Sequence, residues 1–119
     1  MNIEIITYNS FNSELELIWR DFEHNSYYHA FQSYDWIYQW HTFIGSNKLK
    51  ITPLIILVKV ESKLSLILPL GIRNKNFIKI IECMGGDQSD YMSPLILKDF
   101  KMSELNYQKL WLSIIDHLP

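Results

Sequence analysis

The sequence has one cysteine, four glycines, four prolines and no long apolar run, and these scarcities limit what the protein can be. A single thiol, Cys83, cannot form a disulfide within the chain, which favours a reducing compartment. The longest apolar run, residues 54–58, is too short to span a bilayer, and the N-terminus lacks the basic and apolar segments of a secretory signal. We therefore expect a cytoplasmic protein with no membrane span.

The chain also lacks an excess of positive charge. Eleven Lys and Arg residues against thirteen Asp and Glu residues leave a net charge of −2, and the cations form no cluster. Because nucleic acids and anionic membranes are bound through clustered cations, we expect neither as a partner. The four histidines show no metal-ligand spacing, so we expect no metal site. Cys83, within an apolar strand, is expected to be a buried, inert thiol.

Apolar periodicity is what the sequence does contain. Of the 119 residues, 48% are apolar, enough for one core, so residues 1–119 are predicted to form a single domain. Ser13 and Glu16 have the spacing of a capping box at the start of a first helix. An apolar stripe at helical spacing follows, and the helix should end near residues 24–26.

A second helix is predicted from Tyr34 to about Phe43. Ser33 is a suitable N-cap, and Gly45 is a natural stop. This short helix carries a large aromatic area, which should anchor it on a sheet. Its predicted apolar face consists of Trp36, Ile37, Trp40, Phe43 and Ile44.

From residue 51 onward the pattern is that of β-strands. The continuous apolar run 54–58 is typical of a central strand covered on both faces. A second strand, 64–72, follows a polar turn, and Pro69 within it predicts an edge position or a bulge because proline cannot donate a ladder hydrogen bond. The other predicted elements are strands at 3–8, 77–84 and 93–97, a polar turn at 73–76 and a helix at 103–118.

The order of these elements predicts the fold class. It reads β-α-α-β-β-β-loop-β-α, which favours an α+β (α/β-like) fold with helices flanking a mixed, mostly antiparallel sheet. The most loop-like segment, residues 85–91, precedes the last short strand. The last helix is predicted to face the sheet with Tyr107, Leu110, Trp111, Ile114, Ile115 and Leu118.

Three sequence patterns, occurring in this order, point to a known family. They are Phe31-x-Ser33-x-x-Trp36-x-x-x-Trp40, Leu68-Pro69-Leu70 and Gly85-x-x-x-Ser89-Asp90-Tyr91-x-x-Pro94-Leu95. Together they resemble the N-terminal lobe of the CelD-like, cellulose-biosynthesis-type GNAT acyltransferases, which are related to the Fem-type transferases. The resemblance covers residues 31–97.

The resemblance implies that residues 1–119 are the N-terminal half of a two-lobe protein. The complete protein would transfer an acyl group from acetyl-CoA or another acyl-CoA to an amine, on a sugar or a cell-envelope precursor. In that family the C-terminal lobe holds the acyl-CoA, in a loop of the form Q/R-x-x-G-x-G/A. The corresponding place here has Glu82 and Asp87, carboxylates that repel a pyrophosphate. We therefore expect no acyl-CoA binding by this chain, although Gly85 and Gly86 leave a phosphate cradle open as an alternative.

Within this resemblance the loop supplies the candidate site residues. Asp90 would position or deprotonate an attacking amine, and Tyr91 would donate a proton to the leaving thiolate. Gln88, Ser89 and Trp36 are the candidate substrate-binding residues. Each has a structural alternative: Asp90 and its neighbours capping their own loop, Tyr91 packing over the sheet edge, and Trp36 lying in the core.

Two other functions stay open. The first expectation is the substrate-side lobe described above, inactive without its C-terminal lobe. The alternative is a non-catalytic binding or assembly module that pairs with itself or with another protein through its aromatic surface or a sheet edge. A self-sufficient small GNAT enzyme is a third possibility, and it requires acyl-CoA binding by the loop after residue 84.

Overall fold

The computed structural model describes residues 1–85 and 94–119 of the chain. Within them, two helices pack on one face of an antiparallel sheet and a third helix packs on the other. The strands are β1 (Ile3–Tyr8), β2 (Ser26–Tyr27), β3 (Thr52–Val60), β4 (Lys63–Lys75), β5 (Ile78–Cys83) and β6 (Leu95–Leu97), and the helices are α1 (Ser13–Glu23), α2 (Tyr34–Trp40) and α3 (Glu104–His117).

The sheet confirms the α+β class predicted from the sequence. Its strand order is β1-β3-β4-β6-β2, with β5 pairing with β4 beside β6. Every strand pair in the described part of the chain is antiparallel. The predicted element order is wrong in one place, because it lacks β2, which lies between α1 and α2. Two residues are too few to show a strand period.

Strand β3 lies in the interior of the sheet, as its apolar run predicts. Leu54, Ile56 and Val58 pack under α3, whereas Ile55 and Leu57 pack under α1 and α2. All five side chains are buried, since successive residues of a strand point to opposite faces and both faces are covered here.

Pro69 has a different setting from the predicted one. Strand β4 is an interior strand, and the irregularity in its pairing with β3 comes after Val58, opposite another part of β4. On its other side, β4 pairs with β6 through residues 66–67 and with β5 through residues 70–75. Pro69 therefore lies where β4 changes partner, and its missing N–H interrupts neither of these two ladders.

Helix α1 is capped by a different residue from the one predicted. The Asn12 side chain accepts a hydrogen bond from the Leu15 N–H at 2.8 Å, so Asn12 is the N-cap and Ser13 is the first helical residue. The predicted capping box of Ser13 and Glu16 is therefore wrong by one position. Asn and Ser are about equally good N-caps, so the sequence alone does not separate these neighbours.

Helix α2 begins as predicted and ends differently. The Ser33 hydroxyl accepts a hydrogen bond from the Trp36 N–H at 3.2 Å, which confirms the predicted cap. After Trp40 the chain continues as a π-helical turn, His41–Gly45. The wider turn shifts the side-chain register, so Phe43, predicted to face the core, is 65% exposed.

Helix α3 buries a narrower stripe than its sequence predicts. Ser103 caps it, and only Leu110 and Ile114 of its residues are buried. Trp111 and Ile115, predicted to face the sheet, are 40% and 58% exposed. The apolar arc of the helix is wider than the strip that touches the sheet, and the excess faces outward.

Candidate ligand-binding site

An open pocket of about 380 Å³ lies beside the short strand β2. Strand β2 pairs with β6 so that Tyr27 stands opposite Ile96, and the chain after β2 turns back over the same place. This β2 pocket is lined by Ser26, Tyr27, Tyr28, His29, Gln32, Pro94 and Ile96.

The buried side chain of Gln32 holds the two walls of the β2 pocket together. Its amide oxygen accepts a hydrogen bond from the backbone N–H of His29, and its amide nitrogen donates to the Pro94 carbonyl at 3.4 Å. Gln32 is only 4% exposed. A buried amide with a partner at each end fixes the spacing of its neighbours, so the pocket has a defined shape.

Ser26 contributes a hydroxyl that has no hydrogen-bond partner. The residue is 4% exposed, and its Oγ makes no hydrogen bond in the part of the chain that the structure describes. In the same described residues, Trp19 Nε1, on the buried face of α1, is the other buried side-chain atom without a hydrogen-bond partner. A buried hydroxyl left unsatisfied costs about 1–3 kcal/mol. Because its Oγ is covered by protein atoms, Ser26 forms part of the pocket floor and does not offer its hydroxyl to a ligand.

Aromatic side chains form the rim of the pocket. Tyr27 is 63% exposed and Tyr28 is 43% exposed, so both rings are available to a ligand. The His29 ring is nearly parallel to Phe31 at a centroid distance of 6.5 Å, and Phe31 meets Trp36 edge-to-face at 5.1 Å. The His29 side of the rim is therefore held by ring contacts that run from His29 through Phe31 to Trp36.

Trp36, the predicted substrate-binding tryptophan, is half-buried at the far end of this row. It is not among the residues that line the β2 pocket. The structure therefore places Trp36 behind the pocket wall, where it supports Phe31.

The β2 pocket carries no formal charge on its described lining. None of its seven residues is Asp, Glu, Lys or Arg. Hydroxyl, amide and carbonyl groups next to exposed rings suit a neutral polar ligand that stacks one apolar face.

Four predicted site residues, Asp90, Tyr91, Gln88 and Ser89, lie outside the described residues. They belong to segment 86–93, which links the turn after β5 to Pro94 in the pocket wall. Their proposed roles stay predictions.

The end of β5, where the resemblance would place a phosphate loop, carries a carboxylate. Arg73 Nε donates to Glu82 Oε1 at 2.7 Å, and both side chains are half-buried. Burial, together with the neighbouring charge of Glu82, raises the pKa of the half-buried Cys83 thiol. A protonated thiol is a poor nucleophile, which agrees with the inert cysteine expected from the sequence.

The backbone just after β5 is already committed. The Met84 N–H donates to the Pro69 carbonyl at 2.9 Å, and the Met84 side chain is buried against Gly71, where an added Cβ would lie 3.0 Å from Met84 Cγ. Gly85, also buried, has a φ of 113°, which favours glycine. The first N–H after the strand is therefore not free to bind a phosphate.

A second open pocket, of about 400 Å³, lies between the chain after β1 and the π-helical turn. Several of its polar groups already have partners. Asn9 Nδ2 donates to the Pro53 carbonyl at 3.2 Å, His41 Nε2 lies 2.8 Å from the Ile51 carbonyl, and Thr42 Oγ1 donates to the Tyr38 carbonyl at 2.8 Å. These polar groups are therefore occupied within the protein, so the β2 pocket is the better candidate site.

The described residues contain neither a metal-binding cluster nor a membrane-spanning helix. No three His, Cys, Asp or Glu side chains in residues 1–85 and 94–119 are grouped so that they could hold a metal ion. No helix in the same residues has the length and apolarity needed to cross a membrane.

The sequence analysis missed Ser26, Tyr27, Tyr28, His29 and Gln32 as site residues. Periodicity does not reveal them, because they lie between two helices in a segment with no repeating pattern. The available signal was local: Gln32 stands between Phe31 and Ser33, two residues of the first family-like pattern.

Comparison with known proteins gives no match: neither a family model nor a curated protein nor a solved structure matches this chain. The resemblance to GNAT acyltransferases therefore rests on the three sequence patterns alone.

Proposed function

We propose that this chain is the acceptor-side lobe of a GNAT-type N-acyltransferase and is inactive without an acyl-CoA-binding lobe. The observation that carries the proposal is the β2 pocket itself, whose described lining has no Asp, Glu, Lys or Arg and exposes the rings of Tyr27 and Tyr28. In this proposal the pocket holds the acceptor molecule, and Asp90 and Tyr91 keep the roles that the family resemblance implies for them.

The acceptor class follows from the lining. A hydroxylated molecule, such as an amino sugar bound through its uncharged sugar ring, would place an apolar face on Tyr27 or Tyr28 and turn its hydroxyl groups toward the polar groups of the lining. Its amine would then attack the thioester carbonyl, so that a C–N bond forms and the C–S bond breaks; Asp90 would accept the proton of the amine and Tyr91 would donate one to the leaving thiolate, the roles that the resemblance gives them. Holding the acceptor in one orientation is this chain's contribution to the rate.

The acyl-CoA belongs to the second lobe in this proposal. A pyrophosphate needs free backbone N–H groups and no nearby anion. At the end of β5 the Met84 N–H is bound to the Pro69 carbonyl, and the nearby Arg73 guanidinium already pairs with the Glu82 carboxylate, so neither group is free for a pyrophosphate. Both observations support a donor site elsewhere.

Calorimetric titration of acetyl-CoA into the purified chain tests this assignment. We expect no saturable heat at concentrations up to about 1 mM, which is a binding free energy weaker than about 4 kcal/mol. Glu82→Gln is the matched variant: it removes the carboxylate but leaves the Met84 N–H committed, so it should not bind acetyl-CoA either. Saturable micromolar binding by the unmodified chain would overturn the assignment of the donor to another lobe.

A second function, a non-catalytic assembly module, is favoured by one specific observation. Helix α3 exposes large apolar side chains that the sheet does not cover, among them Trp111 and Ile115. An exposed apolar helix face is typical of a protein–protein contact. Titration with an amino sugar separates the two functions, because an acceptor-side lobe binds the sugar in the β2 pocket whereas an assembly module does not.

A further inference from the structure

The outward side of α3 carries a compact apolar face, here called the α3 outer face. It consists of Trp111, Leu112 and Ile115, which are 40%, 61% and 58% exposed. At about 100° per residue these three side chains fall within an arc of about 100°, next to the stripe that packs on the sheet. Single exposed apolar side chains are common on protein surfaces, but large ones grouped in this way are typical of a contact surface.

The face is densest in the last two turns of the helix, and Leu105, which is 60% exposed and lies two turns before Leu112, extends its edge toward the N-terminus. Toward the N-terminus the same arc continues with Glu104 and Gln108, which are polar and exposed. A partner of matching shape therefore covers the C-terminal part of α3 and not its whole length.

Two charges of opposite sign flank the α3 outer face on one side. Lys109 and Asp116 are seven residues apart, which is about two helical turns, so both lie on the same margin of the face. Both are exposed. The other margin is formed by the side of α3 that packs on the sheet through Leu110 and Ile114.

This arrangement is self-complementary in one orientation. The midpoint between Lys109 and Asp116 falls between residues 112 and 113, and Trp111, Leu112 and Ile115 are centred on the same place. When two copies of α3 pack antiparallel about a two-fold axis at this midpoint, Lys109 of each copy faces Asp116 of the other. A parallel pair puts these charges on opposite sides of the contact, where they have no partner.

We infer that the protein forms a two-fold dimer in which the α3 outer faces of two copies pack antiparallel. The apolar side chains form the centre of the contact, and two Lys109–Asp116 ion pairs form its edge and fix the register. The antiparallel arrangement also places each helix N-terminus near the other C-terminus, which the helix dipoles favour. This dimer goes beyond the proposed acyltransferase role and does not depend on it.

Sedimentation velocity over a series of protein concentrations tests the dimer. We expect a reversible monomer–dimer equilibrium for the unmodified chain and at least about tenfold weaker dimerisation for Leu112→Glu, which buries a charge in the contact. The matched control is Leu17→Glu on α1, since Leu17 is 72% exposed and lies outside the α3 outer face. It should leave the equilibrium unchanged, with circular dichroism showing that both variants fold.

Charge reversal tests the orientation. Lys109→Glu and Asp116→Lys should each weaken the dimer about fivefold, because each replaces two attractive pairs by two repulsive ones, and the double variant should restore it. A chain that stays monomeric at every concentration would overturn the inference. So would a dimer that Leu112→Glu does not weaken, or single charge variants whose loss the double variant does not recover.

Discussion

At the scale of single residues, two carboxylates near Tyr34 have pKa values that the fold shifts in opposite directions. Glu23 accepts a hydrogen bond from the Tyr34 N–H at 2.7 Å, yet its burial raises the pKa of this carboxyl. Asp35 accepts from Arg20 Nη2 at 2.6 Å, and this bond lowers the pKa of Asp35. The two groups should therefore give opposite dependences of stability on pH.

Replacing Glu23 by Gln tests the first of these shifts. Since the folded pKa of Glu23 is raised, its contribution to stability is present below the unfolded pKa of about 4.3 and is lost as pH rises through the folded pKa. Glu23→Gln keeps the acceptor for Tyr34 and does not titrate. Urea unfolding between about pH 3 and 7 should show the variant gaining stability relative to the unmodified chain as pH rises.

Asp35→Asn is the control of opposite sign. The lowered pKa of Asp35 gives stability that is present above the unfolded value of about 3.9 and is lost as pH falls through the folded pKa. The effect should be small because Asp35 is exposed and screened by solvent. Parallel pH curves for Glu23→Gln and the unmodified chain would contradict the account of Glu23.

The residues of the candidate site show the limit of prediction at this scale. Ser26 and Gln32 are buried because β2 pairs with β6 and the chain after it turns back, and both contacts join positions far apart in sequence. Their neighbours supply no apolar period that would signal such a turn. By contrast, Cys83 could be predicted as inert, since its strand is apolar and an acidic residue precedes it.

At the scale of elements, the N-cap of α1 gives a direct test. Asn12→Ala should lower the free energy of unfolding by about 1 kcal/mol, because it removes the acceptor for the Leu15 N–H. Ser13→Ala, one residue further on, should cost much less, since Ser13 is within the helix. Urea denaturation of both variants makes the comparison, and a larger loss for Ser13→Ala would contradict the observed cap.

Strong apolar periods in the sequence predicted most elements, and the predictions that were wrong have physical causes. Strand β3 and the start of α2 follow from an apolar run and a Ser cap. The π-helical turn after Trp40 does not, because it depends on packing, including the close approach of Gly45, whose added Cβ would lie 2.9 Å from the Trp40 ring. In α3, periodicity gives the width of the apolar arc but not how much of it the sheet covers.

At the scale of the whole molecule, the two faces of the sheet are covered unequally. Two helices, α1 and α2, pack on one face, and α3 alone packs on the other. The β2 pocket and the α3 outer face belong to different elements, so ligand binding and dimerisation are separately testable. The α+β class could be predicted from element order, whereas these two surfaces arise from contacts between distant parts of the chain.

The central claim, that the β2 pocket binds the uncharged, hydroxylated ring of an acceptor, is tested most directly by a nuclear magnetic resonance titration with an amino sugar. We predict shifts of the Ser26, Tyr27 and Gln32 amide signals. Tyr27→Ala should weaken binding about fivefold and Tyr27→Phe should keep it, because the exposed ring makes the contact. Ser26→Ala is the matched control: it should leave binding unchanged without lowering the free energy of unfolding, since it removes a covered and unsatisfied hydroxyl. Unchanged signals at saturating sugar, or binding that Tyr27→Ala does not weaken, would contradict the account.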